Sequence, residues 1–286
     1  MLVYGFINSI ILALMALGFS ITFGISGVAN FAHGAFYILG GILTWLFLIK
    51  FGMPYFLSAI LAVLIVGAIG ALMYRFLLVR LRGLVLSEVI ATFAIGIIIL
   101  ELLRVFGVMG FEYRLPSFIQ GSANVFGTYV GIQRIIIVAA GVVLLFALYL
   151  FVHHTKLGLS FRGVAQDDHT ALSVGINPYK VSVFSLTLGS MLCAFVAILI
   201  LPLGTISVDE GYDVLLKSLA VCIIGGLEST SGVFVASFII GYVQVLTAMY
   251  ISTSLTMVAV LACMLIILLI KPSGLFGKYK EIEERI

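Results

Sequence analysis

Long apolar runs alternate with short polar segments along almost the whole chain. Most runs approach the length of about 20 residues that an α-helix needs to cross a bilayer. They are continuous, whereas the strands of a β-barrel would alternate apolar and polar residues. The pattern therefore predicts an all-α, polytopic integral membrane protein with about eight or nine transmembrane helices, folded as a single domain over residues 1–286. The runs cover residues 4–24, 31–49, 55–78, 84–106, 135–152, 181–201, 214–227, 233–251 and 256–270.

Composition excludes several classes of protein. Hydrophobic residues make up 63% of the chain and charged residues only 9%, with a mean hydropathy of +1.30. A soluble domain carries about 25% charged residues, so this chain could not cover its surface in water. A cytosolic enzyme, a nucleic-acid-binding protein and a disordered chain are therefore excluded. The three cysteines lie inside apolar runs, without the Cys/His spacing of a metal site, so we expect neither a bound metal nor a disulfide framework.

Basic residues predict which segments face the cytoplasm, because Lys and Arg are enriched in cytoplasmic loops. They cluster at residues 75–82, around the hydrophilic segment 155–180 and in the tail 271–286. The segment 107–134 and the acidic loop at residues 209–213 then lie outside. This alternation needs nine crossings and an N-terminus outside. If the short seventh run is re-entrant, there are eight crossings and one end of the chain changes side.

Two glycine-rich breaks, at residues 24–34 and 225–232, interrupt the helical pattern. Irregular backbone at membrane depth is tolerated only where protein buries it or where it lines a wet cavity, and it often marks a transport pathway. A tight helical hairpin at the membrane surface would give the same pattern. His33 could equally cap a helix or bond a freed carbonyl. The candidate pathway or gate residues in the breaks are Asn30, His33, Gly225 and Gly226.

Few ionisable residues lie inside the apolar runs, and the chain has no G-x-x-x-x-G-K-[ST] nucleotide-binding loop. Glu101 and Arg104 are three residues apart on one helical face, where they can neutralise each other. A substrate clamp is the alternative, and it keeps Glu101 among the pathway candidates. Glu88 lies near the start of the fourth run, close to its predicted cytoplasmic end, and solvent exposure is expected for Glu228 in the second break. An ion-driven carrier needs ionisable groups deep in the membrane, so their scarcity favours a transporter powered by a partner.

The segment 155–180 is too long for a simple turn and contains an amphipathic helical stretch. Small apolar residues, such as Val164 and Ala171, supply its apolar contacts, and the residues 166–169 supply a polar face. Gly175 followed by Asn177-Pro178 is a helix stop. A short helix held between two spans could fit a groove on a soluble partner. A solvated loop helix without a partner is the alternative.

Four sequence blocks carry a resemblance to a known family. They are NFAHGAFYILGG at residues 30–41, TKLGLSFRGVAQDDHTALSVGIN at 155–177, IIGGLESTSGVFVASFIIG at 223–241 and KPSGLFG at 271–277. With these blocks in this order, the chain resembles the permease subunits of branched-chain amino acid ABC importers. Glu228 stands where the family often has Gly.

The resemblance implies a transport assembly in a bacterial or archaeal cytoplasmic membrane. Such a permease pairs with a second related permease above two ATPase subunits, and an extracytoplasmic substrate-binding protein delivers the small-molecule substrate. ATP and Mg are then held by the ATPases, and this chain binds no cofactor, has no catalytic residues and needs no nucleic acid. The substrate would be a branched-chain or related amino acid or a small organic solute. The alternative function is an ion-coupled secondary carrier or facilitator.

The resemblance also implies that the loop is the coupling helix that docks in an ATPase groove. Residues 162–175 would then move as one rigid helical lever when the ATPases close. His169 stands where the usual coupling motif has an acidic residue. The residues expected to couple to the ATPase are Arg162, Ala165, Asp167, Asp168, His169, Ala171 and Gly175.

Overall fold

A computed structural model of the protein describes residues 1–107, 113–125, 127–227 and 229–277. In the first half of the chain the helices are α1 (Leu2–Ser26), α2 (His33–Trp45), a π-helical turn (Leu46–Lys50), α3 (Tyr55–Met73), a second π-helical turn (Tyr74–Leu78), α4 (Val79–Leu81) and α5 (Val85–Val105). Two short antiparallel strands follow, β1 (Ser122–Val125) and β2 (Thr128–Gly131), with Ser122 opposite Gly131.

The second half is again helical. It consists of α6 (Ile132–His154), α7 (Lys156–Gln166), α8 (Asp168–Ser173), α9 (Pro178–Ile200) with a 3₁₀ turn (Leu201–Leu203), α10 (Val208–Gly225), α11 (Thr230–Tyr250), a 3₁₀ turn (Thr253–Leu255) and α12 (Thr256–Ile270). The prediction of an all-α polytopic protein is confirmed, because eight of these helical stretches are long and apolar enough to span a bilayer.

The molecule has two opposite faces. The hairpin face carries β1 and β2, and there the Tyr4 hydroxyl donates to the Tyr129 carbonyl at 3.0 Å. The loop face carries α7 and α8, whose buried side chains pack against Ile25 near the end of α1. Helix α1 therefore runs from the hairpin face to the loop face, and the N-terminus lies at the hairpin face.

Helix α10 connects the same two faces, although its charged first turns make it less apolar than the eight spans. Asp209 at its start lies 3.4 Å from Arg104 at the end of α5. At its other end, the Ile224 carbonyl accepts a 2.7 Å hydrogen bond from the Leu275 N–H, just beyond α12. The described chain therefore traverses between the faces nine times, which favours the nine-crossing alternative over a re-entrant segment.

Helix α1 lies at the centre and packs against α9, α10 and α11. Small residues permit the closest approaches: a Cβ added at Gly18 would lie 2.6 Å from the Gly189 carbonyl oxygen, and one at Gly189 would lie 2.7 Å from the Gly18 carbonyl oxygen. In a bilayer such packing replaces the hydrophobic driving force between helices. Helices α5, α6 and α12 bury little surface, so their apolar sides are open to lipid or to a partner.

Candidate functional site

The segment 155–180 forms two short helices at the loop face. The Thr155 hydroxyl accepts from the Gly158 N–H at 2.9 Å and caps α7. Asp167 then adopts an extended backbone (φ −162°, ψ 121°), and its carboxylate accepts from the Thr170 N–H to cap α8. That bond lowers the pKa of Asp167, so its carboxylate is ionised at neutral pH.

The single helical lever over residues 162–175 predicted above is therefore wrong. Asp side chains compete for backbone N–H groups and favour the N-cap over the helix interior, and Asp167 interrupts the helix for this reason.

The helix stop predicted at the end of this segment is confirmed. Gly175 has φ +85°, its N–H donates to the Leu172 carbonyl at 3.0 Å, and the Ile176 N–H donates to the Ala171 carbonyl at 3.0 Å. These two bonds define a Schellman motif, which requires a left-handed residue and therefore favours glycine. Asn177 then caps α9 by accepting from the Lys180 N–H at 3.3 Å.

The loop has a buried side and an exposed side. Phe161, Val164 and Ala171 are buried in a cluster with residues of α1, α6 and α9. On the exposed side, two apolar residues project from the end of α8, Leu172 at 59% exposure and Val174 at 70%. Of the predicted coupling residues, Ala171 is an internal anchor. The others, Arg162, Ala165, Asp167, Asp168, His169 and Gly175, are exposed or half-exposed.

An ion pair fastens α8 to a second part of the loop face. The Arg82 guanidinium, which follows α4, pairs with the Asp168 carboxylate. Sequence analysis used Arg82 only to orient the chain, because nothing in the local sequence relates it to a residue 86 positions away. The pair connects the loop to the turn between α3 and α5.

The first glycine-rich break lies at membrane depth. Thr92, inside α5, accepts from the Phe31 N–H at 3.2 Å and donates to the Ala29 carbonyl at 3.2 Å. The Asn30 side chain is buried and its Oδ1 accepts from the Ala32 N–H at 3.1 Å. Since these contacts reach the interior of a span, the alternative of a hairpin at the membrane surface is wrong. Thr92, which sequence analysis missed, satisfies backbone groups that the break frees.

His33 begins α2 and is buried in the centre of the molecule. Its Nε2 lies 2.8 Å from the Met15 carbonyl, which also accepts from the Ser218 hydroxyl at 3.1 Å. The Cys193 thiol donates to the His33 carbonyl at 3.0 Å. These bonds link α1, α2, α9 and α10. The geometry thus supports the carbonyl-bonding role of His33, while a pathway role for Asn30 and His33 stays a prediction.

The second break brings two of the sequence blocks together. The Phe276 N–H donates to the Gly225 carbonyl at 3.1 Å, and Gly226 has φ +98°. A Cβ added at Gly225 would lie 2.5 Å from the Gly232 carbonyl carbon. Both glycines therefore serve close backbone packing at the loop face, and a pathway role for them stays a prediction. Glu228 and residues 278–286 of the tail lie outside the described residues.

At the hairpin face, Glu101 pairs with Arg104 at 2.9 Å, as the i,i+3 spacing predicts. Arg104 also reaches Asp209 at 3.4 Å. The three side chains are exposed or half-exposed, which matches a structural surface pair. Within the described part of the chain, no group of three His, Cys, Asp or Glu side chains could hold a metal ion.

Comparisons with known proteins agree with this architecture. The family model described as "Branched-chain amino acid transport system / permease component" matches residues 1–270. The probable branched-chain amino acid transport permease protein LivH of Methanocaldococcus jannaschii is 30% identical, with 95% of this chain and 90% of that protein covered. The high-affinity branched-chain amino acid transport system permease protein LivH of Salmonella typhimurium is 27% identical, with 95% and 92% covered.

More distant similarities extend the picture. The permease protein LivM of the Salmonella typhimurium high-affinity branched-chain amino acid transport system is 23% identical, with 93% of this chain and 68% of LivM covered. The structure of PsaBC from Streptococcus pneumoniae in complex with Fab matches with a TM-score of 0.54 at 13% identity, covering 96% of this chain and 92% of that chain, and it shows a shared fold alone. The chain belongs to the family of permease components of branched-chain amino acid transport systems.

Proposed function

We propose that this chain forms part of the translocation pathway of an ATP-binding-cassette importer for branched-chain or related amino acids or small organic solutes. The chain belongs to a family of multi-pass membrane proteins that are transport components and not enzymes. A second related permease completes the pathway, and its counterpart among the relatives is LivM. Two ATPase subunits bind ATP and Mg, and an extracytoplasmic binding protein delivers the solute. The membrane is the cytoplasmic membrane of a bacterium or archaeon, with the loop face inside.

The observation that carries this proposal is the construction of the loop at residues 155–180. Its two capped helices are fixed to the spans by a buried cluster and by the Arg82–Asp168 ion pair. Its tip nevertheless exposes Leu172 and Val174. An exposed apolar tip on a rigid base suits docking into a groove of a soluble subunit.

The ion-coupled carrier is the weaker alternative. Such a carrier has no need of a docking tip, and it needs ionisable groups deep in the membrane. The described Glu101 and Arg104 are instead paired with each other near the hairpin face.

The test is co-purification of the tagged chain from its native membrane in mild detergent. Leu172→Asp changes an exposed side chain, so the fold is retained, and we expect the ATPase subunits to be lost while the second permease remains. Ile119→Asp is the matched control, since Ile119 is 54% exposed but lies in the segment before the hairpin. Unchanged ATPase recovery with Leu172→Asp would contradict docking at this tip. Uptake by liposomes that hold only this chain would overturn the importer reading.

A further inference from the structure

A cavity of about 310 Å³ with a mixed polar and aliphatic lining opens near the hairpin face, inside this single chain. The first half of α1 forms one wall, and α10 and α11 form others. Its polar lining consists of Tyr4, Asn8, Arg134, Lys217, Gln244 and Thr256. The size is at the lower end of the range of about 300–1,000 Å³ that small-molecule sites occupy.

Lys217 is the unusual member of this lining. It lies in the middle of α10, where a charged side chain is expensive unless water or a partner compensates it. Among the described residues its ion-pair partner is Asp213, at 3.5 Å, and the Asp213 side chain is 54% exposed. Charge-assisted N–H···O bonds are about 2.7–2.9 Å long, so this pair is a loose one. The Lys217 side chain is 25% exposed, and its ammonium group carries three N–H donors, so a loose pair with one carboxylate leaves donors available to the cavity.

Two further residues with N–H donors line the same cavity. Asn8 donates to Gln244 Oε1 at 2.7 Å, which orients the Gln244 amide and leaves its Nε2 without a partner among the described residues. The Arg134 guanidinium lies over the Tyr4 ring, 5.1 Å from its centroid, at the edge of the cavity. An ammonium, a guanidinium and an amide N–H₂ among the residues that line one cavity favour an anion with several acceptor oxygens.

The rest of the lining is aliphatic. It is formed by Ile7, Ile11, Leu203, Val245 and Ala248. A ligand that fits both parts carries an anionic group on a short aliphatic body, because the apolar wall would leave a fully polar anion poorly solvated.

We propose that this cavity binds the carboxylate end of a small aliphatic carboxylic or amino acid entering from the hairpin face, with Lys217 as its principal anion-binding residue. The inference rests on the proposed function in one respect: the occupant of the cavity is taken to be the transported solute. Binding itself needs only the residues of this chain that line the cavity.

The experiment measures binding of three probes to the purified full-length chain in lipid nanodiscs by saturation-transfer NMR. L-Leucine has both charged groups, 4-methylpentanoate lacks the amine, and L-leucinamide lacks the carboxylate. We expect the first two to bind and the amide to bind at least tenfold more weakly. Lys217→Met should weaken L-leucine about tenfold or more, the ratio that a lost charge-assisted hydrogen bond produces. Lys217→Arg should retain binding within about threefold, since the charge remains.

Two further variants keep the inference falsifiable. Lys50→Met removes an exposed charge at the end of the π-helical turn after α2, outside the cavity, and should bind like the unaltered chain. Ala248→Phe fills the aliphatic wall without touching a charge and should weaken both carboxylate probes. Equal binding of all three probes to the unaltered chain, or no binding, would overturn the inference. That result would leave the proposed function standing if the ATPases co-purify with the unaltered chain. Failure of the unaltered chain to co-purify the ATPases would count against the importer whatever the probes do.

Discussion

Replacing His33 with Ala tests whether the buried histidine serves structure or transport. The change removes the 2.8 Å bond to the Met15 carbonyl and an edge-to-face contact with Phe19, whose ring centroid lies 5.9 Å away at 89°. The Met15 carbonyl keeps the Ser218 hydroxyl as a donor, so no orphan acceptor is created. The expected loss is thus that of a bond and of packing, without the further cost of an unsatisfied buried group.

The magnitude follows from these contacts. An interhelical hydrogen bond in a membrane protein contributes about 0.6 kcal/mol on average. The aromatic contact adds about 0.5–1.5 kcal/mol. The cavity left by the ring adds a cost that grows with its residual volume. Together we expect His33→Ala to lower the free energy of unfolding by roughly 2–3 kcal/mol, and His33→Gln, which retains a donor, to cost about half as much.

The assay is unfolding of the purified chain in mixed micelles by added sodium dodecyl sulfate, followed by circular dichroism. His154→Ala is the control, because His154 is exposed at the end of α6 and its loss should change stability by less than about 0.5 kcal/mol. Uptake is then measured per folded transporter in the assembled importer. A His33→Ala protein of unchanged stability that no longer transports would refute the structural role and restore the pathway hypothesis.

Three more predictions follow from the geometry. Gly34→Ala should destabilise the chain strongly, because its Cβ would lie 1.9 Å from the Gly211 carbonyl oxygen, whereas Gly24→Ala meets nothing within 4 Å and should be neutral or slightly stabilising in thermal unfolding. Arg104→Ala should lower the free energy of unfolding by less than about 1 kcal/mol, because the pair with Glu101 is half-exposed. When unfolding is measured again in 1 M salt, this difference should vanish, because salt screens the pair. The hydrogen bond from the Thr170 N–H holds the pKa of Asp167 below its ordinary value of 3.8. The Asp167 cap on α8 should therefore persist at every pH above 3.8 and weaken only as the pH falls below that value. Hydrogen exchange of residues 168–173 measures this loss, and Asp167→Asn should remove the pH dependence of the cap.

Much of the fold could be predicted because its signals are local. The length of each apolar run determines a span, and Gly175 with Asn177-Pro178 determines where a helix stops. The position of the first glycine-rich break along the chain was predicted correctly. Its depth in the membrane could not be predicted, because the depth is set by contacts with Thr92 in another helix. The break at Asp167 was missed, because helical periodicity continues through residues 162–175 and does not reveal that a carboxylate caps the next turn.

The candidate sites depend on contacts that no local pattern contains. Asn8 and Gln244 are 236 residues apart and meet only when α1 packs against α11. In the sequence, Lys217 is one charged residue in a short, weakly apolar run, and only the structure shows that it lines a cavity. The same limit applies to Arg82 and Asp168, whose pairing fixes the loop to a distant turn. Sequence analysis singled out none of Asn8, Gln244 and Lys217, because only tertiary packing brings them to one cavity.

The break at Asp167 changes how the loop can transmit force, but it does not make the loop a flexible hinge. Asp167 caps α8, while Phe161 in α7 and Ala171 in α8 lie in one buried cluster, so both helices are fixed on either side of the joint. The Arg82–Asp168 pair adds a second attachment, to the turn between α3 and α5. A subunit that displaced the tip would therefore move α6 and α9 directly and pull on α3 and α5 through that pair. Because packed interfaces switch between discrete arrangements and do not deform continuously, removing Arg82 should weaken the coupling of ATP hydrolysis to uptake while leaving docking at Leu172 intact.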